Sequence, residues 1–401
     1  MSVRRAYFDH NATAPLRPQA RWAMAAAMER VGNPSSVHSE GRQARGVVET
    51  AREQVASLVN APKEAVIFTS GATEATHLAL SPNIRSGGEA RHASKLYVLE
   101  TEHPCVLAGG RFEPEHVLAV PVKSDGFIDL AALEALLDVH DDASGAPFVA
   151  VQLANSETGV VQPVAEVARM VRFRGGYVLC DAVQAAGRLP IDVAKLGVDF
   201  LILSSHKIGG PMGAGALINA HSILETEPLL RGGGQETNRR AGTENVPAIA
   251  GFGEAAVQAA SEAADFASIT ALRDSLEAGL LPICEKLGLA DRLTIFGQSA
   301  TRLGNTSLIA LRGMKAETAL IAFDLDGVAV SSGSACSSGK VGNSHVLQAM
   351  GVSPDVAQAA IRVSLGWNST RDDVLQFLSV FERLAVGLAR RLGGELRDSA
   401  A

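Results

Sequence analysis

Residues 198–217 read Val-Asp-Phe-Leu-Ile-Leu-Ser-Ser-His-Lys-Ile-Gly-Gly-Pro-Met-Gly-Ala-Gly-Ala-Leu. The apolar run, followed by small polar residues and then by glycines, predicts a buried strand that ends in a turn. Lys207 lies at that turn, directly after Ser204, Ser205 and His206. Most lysines beyond a strand are solvated loop cations. Here the neighbouring hydroxyl and imidazole groups favour a different interpretation, in which the amine lies in a pocket and its neighbours bind a phosphate.

Such a pocket would suit an aldehyde cofactor with a phosphate tail, such as pyridoxal phosphate, because a lysine amine forms a Schiff base with an aldehyde. The pyridine nitrogen of that cofactor needs a facing carboxylate to stay protonated. A second predicted strand, over residues 177–180, is followed by Asp181. Asp181 could instead be an ordinary helix N-cap. One connecting segment separates the two strands, which places Asp181 and Lys207 at the carboxyl ends of neighbouring strands, where ligands of open α/β sheets bind.

A third junction predicts where the phosphate would bind. Residues 65–68 form a short apolar strand that leads into Thr-Ser-Gly-Ala-Thr-Glu at 69–74 and then into a predicted helix. The first backbone N–H groups of a helix are unpaired and its dipole is positive there, so the junction predicts an anion site at Ala72 and Thr73. Many α/β turns have such a sequence, so this pattern is weak by itself.

With these motifs in place, the sequence resembles the pyridoxal-phosphate cysteine desulfurases of the NifS/IscS-like type, within the class V aminotransferase group. The resemblance covers nearly the whole chain, and chance is an unlikely explanation for so many motifs in one order. The motifs are FDHNAT at 8–13, GNPSS at 32–36, TSGATE at 69–74, EH at 102–103, SSHK at 204–207, GGGQE at 232–236, RAGTEN at 240–245 and SSGSAC at 331–336.

The resemblance implies an α/β fold, that of the fold-type I pyridoxal-phosphate-dependent transferases. A mostly parallel sheet is expected in a large cofactor-binding domain over residues 16–257. Residues 1–15 together with 258–401 are expected to form a smaller α/β domain. The alternation of predicted strands and helices in the first part of the chain agrees with this class.

The resemblance also implies cofactor contacts. His103 matches a histidine that stacks on the pyridine ring and moves protons, and the ordinary imidazole pKa near 6.5 suits that task. Gln184 matches a contact to the ring hydroxyl. Thr243 matches a threonine that reaches the phosphate of the neighbouring subunit, which implies a homodimer with shared active sites. The expected cofactor-binding residues are Ala72, Thr73, His103, Asp181, Gln184, Ser204, His206, Lys207 and Thr243.

The expected substrate contacts are Asn155, Ser156 and Arg362. Relatives usually carry two asparagines at the first pair of positions, where a side chain helps to hold the substrate carboxylate or the ring hydroxyl. Ser156 is shorter, so the division of labour between it and Asn155 stays open. Arg362 lies inside a predicted strand, where an arginine is either a surface residue or a carboxylate-binding fork. The resemblance implies that it clamps the α-carboxylate of the substrate.

The segment around Cys336 reads Ser-Ser-Gly-Ser-Ala-Cys-Ser-Ser-Gly-Lys over residues 331–340. A segment so small and polar buries little apolar surface, so a mobile loop over about 331–342 is predicted. A free cysteine is more often packing than a nucleophile. Cys105, Cys180 and Cys284 fit that description, whereas Cys336 does not, and the resemblance makes it the catalytic thiol.

The composition of the chain excludes some classes of binding partner. The chain has 401 residues, 47% of them hydrophobic and 20% charged, and a net charge of −7, which argues against nucleic acid as the main partner. Its four cysteines form no Cys-x-x-Cys pair, so neither disulfides nor a metal site are expected. A signal peptide and a membrane span are not expected either. A cytoplasmic location is predicted.

These observations predict a cysteine desulfurase that converts L-cysteine into L-alanine and a persulfide on Cys336. The catalytic residues would be Lys207, Cys336 and His103. The sulfur would pass to an acceptor for iron–sulfur cluster assembly or thiolation. Two alternatives stay open: a selenocysteine lyase or another class V aminotransferase, and a sulfur-carrier or scaffold protein that has lost catalysis.

Overall fold

The computed structural model describes residues 5–263, 266–332 and 344–398. The strands are β1 (Ala6–Tyr7), β2 (Val66–Thr69), β3 (Asn83–Ser86), β4 (Glu89–Leu99), β5 (Val117–Val120), β6 (Ala146–Gln152), β7 (Tyr177–Asp181), β8 (Phe200–Ser204), β9 (Gly215–Asn219), β10 (Leu224–Thr226), β11 (Leu293–Ile295), β12 (Thr306–Leu311), β13 (Val328–Ala329), β14 (Ser331–Ser332) and β15 (Ala360–Ser364). The helices are α1 (Pro18–Met28), α2 (Ser39–Leu58), α3 (Ala72–Ala79), α4 (Pro104–Leu107), α5 (Leu130–Asp138), α6 (Val164–Phe173), α7 (Val193–Leu196), α8 (Val246–Ala263), α9 (Ala267–Lys286), α10 (Ala316–Leu325), α11 (His345–Ala349), α12 (Pro354–Ala357) and α13 (Arg371–Asp398).

The large sheet has the order β10-β3-β4-β6-β7-β8-β9-β2, with β5 paired to β4. Its central strands β4, β5, β6, β7 and β8 pair in parallel. Both margins are antiparallel: β3 and β10 on one side, β9 and β2 on the other. The sequence predicts the parallel centre, but it did not predict β3 or β10, because those strands are short and partly exposed and so lack a continuous apolar run.

Both faces of this sheet are covered, which explains why its strands are apolar throughout. Val149 packs with α2, α6 and α8 on one face, whereas the neighbouring Phe148 packs with α3 on the other. Successive side chains of a strand point to opposite faces, so one apolar run serves two helical layers.

A second core lies in the C-terminal part of the chain. Strands β11, β12, β15 and β14 form an antiparallel sheet in that order, and β1 pairs in parallel with β13. Phe8 from the N-terminal arm packs edge-on against Phe377, with ring centroids 5.9 Å apart. The start of the chain is thereby tied to its last third.

The connection between the two cores is helical. The chain has two helices there, α8 and α9. Ala259 packs in the core of the large sheet, whereas Ile269 packs in the second core. None of the helices in the described ranges is long and apolar enough to cross a lipid bilayer.

Candidate active site

A cavity of about 420 Å³ opens at the carboxyl ends of the parallel strands, beside the N-terminus of α3. Parallel strands end at one edge of a sheet, and the loops that follow them meet there. Most of the predicted site residues line this cavity. They are Ala72, Thr73, His103, Ser156, Asp181, Gln184, Ser204, His206 and Lys207.

Lys207 lies in a single 3₁₀ turn directly after β8. Its Nζ donates hydrogen bonds to the backbone oxygens of Asn11 and Ala12, at 2.8 and 2.7 Å. The N-terminal arm therefore crosses the site and holds the amine against the cavity. The interpretation of Lys207 as a solvated loop cation is wrong, because the amine is half-buried and bonded to a segment almost 200 residues away.

Asp181 ends β7 and is the register partner of Ile202 in β8, so it lies one strand away from the turn that carries Lys207. Its Oδ1 accepts a hydrogen bond from the backbone N–H of Val183 at 2.9 Å, and no helix begins there, so the N-cap interpretation is wrong. Burial raises the pKa of the Asp181 carboxyl to about 6, against the lowering effects of the Val183 bond and of Lys207. A cation placed against it would restore the charged form.

Two histidines of the cavity are held neutral. Burial, Lys207 and His345 lower the pKa of His103 to about 4. Burial and Lys207 lower the pKa of His206 to about 4 as well. The His206 Nδ1 lies 3.2 Å from the hydroxyl of Thr13, in the N-terminal arm. At neutral pH both imidazoles therefore take part as hydrogen-bonding groups rather than as cations.

The phosphate end of the cavity is built from α3 and the loop before it. Ala72 and Thr73 are the first two residues of this helix, whose leading N–H groups have no partner within the helix. Glu74 accepts from the backbone N–H of Ser70 at 2.7 Å and pairs with Arg240 at 2.8 Å. This ion pair fixes the turn and lies beside, not in, the predicted anion site.

Three predicted residues of the described ranges do not line the cavity. Arg362 is buried and donates through NH2 to Asp9 at 2.7 Å and through NH1 to the backbone oxygen of Ser156 at 3.3 Å, while its Nε has no partner among the described residues. The Asn155 amide nitrogen donates to the backbone oxygen of Thr101 and to the side-chain oxygen of Gln152, and its amide oxygen accepts from the Thr158 hydroxyl. Thr243 is exposed. Cys336 lies outside the described residues.

The structure adds a cavity residue that the sequence analysis assigned to packing. Cys105 lines the cavity, and its Sγ lies 3.0 Å from Nδ1 of His103. The signal was its position two residues after His103 at the start of a helix. Glu102 is also buried beside this pair, and it accepts a hydrogen bond from the backbone N–H of Gln152. Among the residues that the structure describes, no group of three or more His, Cys, Asp or Glu side chains could hold a metal ion.

The donor set fits pyridoxal phosphate. Lys207 can take the aldehyde, Asp181 can face the pyridine nitrogen, and the start of α3 with Ser204 and His206 can hold a phosphate. The half-buried carboxyl of Asp181 has no cationic side chain bonded to it within the described ranges, which is expected of a carboxylate whose partner is a cationic atom of a ligand.

Comparisons with known proteins show the family of this chain. Residues 6–377 match the family model described as aminotransferase class V. An IscS-like cysteine desulfurase of Mycobacterium tuberculosis is 36% identical over 392 residues, which cover 96% of this chain and 97% of the relative. A cysteine desulfurase of Cereibacter sphaeroides is 38% identical over 385 residues, which cover 94% of this chain and 95% of the relative.

A solved structure is similar to this chain over most of its length. A NifS-like protein from Rickettsia africae superposes with a TM-score of 0.82 and 33% identity, covering 95% of this chain and 99% of the other. The predicted fold-type I architecture is confirmed by this similarity, and with it the dependence on pyridoxal phosphate. The chain belongs to the class V aminotransferase family, in which its relatives include cysteine desulfurases of the NifS/IscS-like type.

Proposed function

We propose that this protein is a cysteine desulfurase that takes sulfur from L-cysteine and releases L-alanine. The observation that carries the proposal is the meeting of Lys207, Asp181 and His103 around one cavity at the carboxyl ends of neighbouring strands. When bound, pyridoxal phosphate supplies an aldehyde for an amine and a ring that withdraws electrons from the substrate Cα. The names of the relatives point to the same reaction.

The protein's own groups then divide the work. Lys207 anchors the cofactor through its amine and, once displaced by the amine of L-cysteine, removes the proton at Cα. Asp181 keeps a proton on the ring nitrogen by placing a carboxylate opposite it. Arg362 is the proposed partner of the substrate carboxylate, because its guanidinium bonds one carboxylate, that of Asp9, and still has an unpartnered Nε.

Sulfur transfer is assigned to Cys336. Its thiolate attacks the substrate sulfur, so that a new S–S bond forms as the Cβ–S bond breaks, and the electron pair of that bond stays with the carbon fragment. Protonation of that fragment gives L-alanine, and the enzyme retains a persulfide. A protein thiol or an iron–sulfur scaffold then takes the outer sulfur.

The deciding experiment measures alanine and persulfide from L-cysteine. Wild type and Cys284→Ala, a buried cysteine of the second core, should release both at similar rates. Cys336→Ala should bind the cofactor and the substrate but release less than a few per cent of the alanine. Normal alanine output from Cys336→Ala would contradict the persulfide mechanism. Amino transfer to a keto acid would favour the aminotransferase alternative, and a preference for selenocysteine would favour the lyase. The absence of any turnover would favour the sulfur-carrier or scaffold protein.

A homodimer with shared sites is part of the proposal. Thr243 is exposed on this chain and is not in its own cavity, as expected of a residue that serves a neighbour. Met28 at the end of α1 is 64% exposed and lines a surface cavity together with Glu244, the residue after Thr243. Val31 and Val37, in the segment after α1, are 85% and 87% exposed. Light scattering should give twice the mass of 41.7 kDa. A monomer with full activity would contradict it.

The two cores support the proposed domain division, residues 16–257 against 1–15 with 258–401. Ala259 in the first core and Ile269 in the second place the change of core close to that boundary. Cytoplasmic location is proposed as well, and fractionation of cells that produce the protein would test it.

A further inference from the structure

The loop that carries His103 contains a cysteine in direct contact with the imidazole. His103 precedes α4, and its Nδ1 accepts a hydrogen bond from the backbone N–H of Cys105 at 3.2 Å. The direction of a backbone N–H is fixed by the chain, so Nδ1 must present its lone pair there. The Sγ of Cys105 lies 3.0 Å from the same nitrogen.

The thiol must also act as a donor at this nitrogen. A thiolate or a lone pair on Sγ would face the lone pair of Nδ1, and the two would repel. Burial first, and then the carboxylate of Asp181, raise the pKa of the Cys105 thiol to about 12, so the sulfur keeps its hydrogen at neutral pH. The hydroxyl of Thr76, 3.6 Å from Sγ, donates its hydrogen to the backbone oxygen of Ala72 at 2.8 Å.

We infer that Cys105 is a positioning residue that fixes His103 as the Nε2–H tautomer. Two donors, one from the backbone and one from the thiol, occupy Nδ1. The ring nitrogen left for the cavity is Nε2, and it carries the hydrogen. The neutral imidazole therefore offers a hydrogen-bond donor to whatever lies in the cavity, and it has no free lone pair there with which to accept a proton.

This inference deepens the proposed function, on which its catalytic meaning rests. Proton removal at Cα then belongs to Lys207 alone, and His103 contributes by donating a hydrogen bond and by packing. The charged groups around the imidazole agree with a neutral ring: Lys207 and His345 disfavour an imidazolium, and the buried carboxyls of Glu102 and Asp181 act mainly on the neighbouring thiol.

The test reads the tautomer directly by nitrogen NMR on the full-length protein with its cofactor, labelled with ¹⁵N-histidine. The chain has ten histidines, and the His103 signals are identified by their loss in His103→Gln. Wild type should show an unprotonated Nδ1 and a protonated Nε2 between about pH 6 and pH 8. A protonated Nδ1 in wild type would overturn the inference, whatever the variants do.

Variants of Cys105 distinguish the effect of the hydrogen bond that its thiol donates from the effect of its side-chain volume. Cys105→Ala should lower the ratio of Nε2–H to Nδ1–H tautomer by roughly threefold to tenfold, the effect of one hydrogen bond. Cys105→Ser keeps a donor and should restore the wild-type ratio, and Cys284→Ala should leave it unchanged. An unchanged ratio in Cys105→Ala, or no restoration by serine, would overturn the inference.

A pH profile gives a second readout. Cys105→Ala removes one donor to Nδ1 but leaves the burial, Lys207 and His345 that lower the pKa of His103, so this pKa should rise from about 4 only to about 5 and the acidic limb of kcat should move up with it. A profile identical to that of wild type would contradict the proposed role. The NMR result needs no turnover, so a protein that fails as a desulfurase would still report its tautomer, and the two proposals fail separately.

Discussion

Two buried arginines, Arg52 and Arg362, show how the same side chain serves stability in one region and the proposed site in another. Arg52 forms a two-pronged bond to Glu236, at 2.7 and 2.8 Å, and its guanidinium lies over the ring of Phe68. Glu236 also accepts from the backbone N–H of Phe68 at 3.0 Å. The charges of Arg52 and Glu236 neutralise each other, and their hydrogen-bonding atoms have partners, as a stable buried ion pair requires.

Arg362 differs in each respect. It makes one bond to Asp9 and a longer one to the backbone oxygen of Ser156, and no residue in the described part of the chain bonds its buried Nε. The half-buried carboxyl of Asp181 also has no cation bonded to it in the described part of the chain. In the structural cluster, protein groups satisfy the charges and hydrogen bonds of Arg52 and Glu236. In the proposed site, groups of a bound ligand are expected to do so.

The largest expected effect comes from removing the amine of the site. Lys207→Ala should reduce turnover by about 10⁴-fold or more, because the amine that carries the cofactor and removes the Cα proton is gone. Lys207→Arg keeps the positive charge and should fail equally. After borohydride reduction, intact-mass measurement should find covalently attached cofactor in wild type only. Substantial turnover in Lys207→Ala would remove the basis for treating this cavity as the active site.

Breaking the structural pair should cost stability instead. Glu236→Ala leaves the charge of Arg52 buried without a counterion and should lower the free energy of unfolding by about 3–5 kcal/mol. Glu53 pairs with Lys63 at the same 2.7 Å but is exposed, so Glu53→Ala should cost about 1 kcal/mol or less. Urea unfolding of both variants measures this difference. Equal losses would show that burial does not set the value of these pairs.

In the cofactor-free protein, the carboxylate of Asp181 is expected to lower the free energy of unfolding because it has no bonded cation in the described part of the chain. The pKa of Asp181 is raised to about 6 in the folded chain, so folding disfavours its charged form. Asp181→Asn should therefore stabilise the cofactor-free protein by about 2–3 kcal/mol at pH 8, and the gain should fade as pH falls from about 6 to about 4, because the native carboxyl becomes protonated over that range. Urea midpoints at about pH 8 and about pH 4 measure it. The same variant should lose most of its activity, and a destabilised variant at pH 8 would contradict the argument.

The smallest expected effect is that of replacing Arg362, the arginine of the proposed site. Arg362→Gln should weaken use of L-cysteine by about 10- to 100-fold in kcat/KM, mainly through KM, because one charged hydrogen-bonding partner of the carboxylate is lost. Arg390, exposed on α13, gives a matched control, and Arg390→Gln should leave the kinetics unchanged. An unchanged KM in Arg362→Gln would mean that Arg362 serves Asp9 alone.

Much of the site follows from local sequence. The strands that end at Asp181 and before Lys207 could be predicted because a buried parallel strand is a continuous apolar run, and its carboxyl end is where polar residues begin. The start of α3 could be predicted from the small residues before it. The marginal strands β3 and β10 could not, because they are stabilised by pairing with each other and with β4 rather than by their own composition.

The sequence by itself determined the chemistry of the site: an amine, a carboxylate and an imidazole, each placed after an apolar strand, because local composition controls where strands end. Tertiary structure alone decided how those groups behave. Long-range contacts bring Asn11 and Ala12 onto Lys207, join Asp9 to Arg362 and bury Asp181. Burial and pairing between residues far apart in the chain set the pKa values of the site, and no local pattern encodes the distance between such residues.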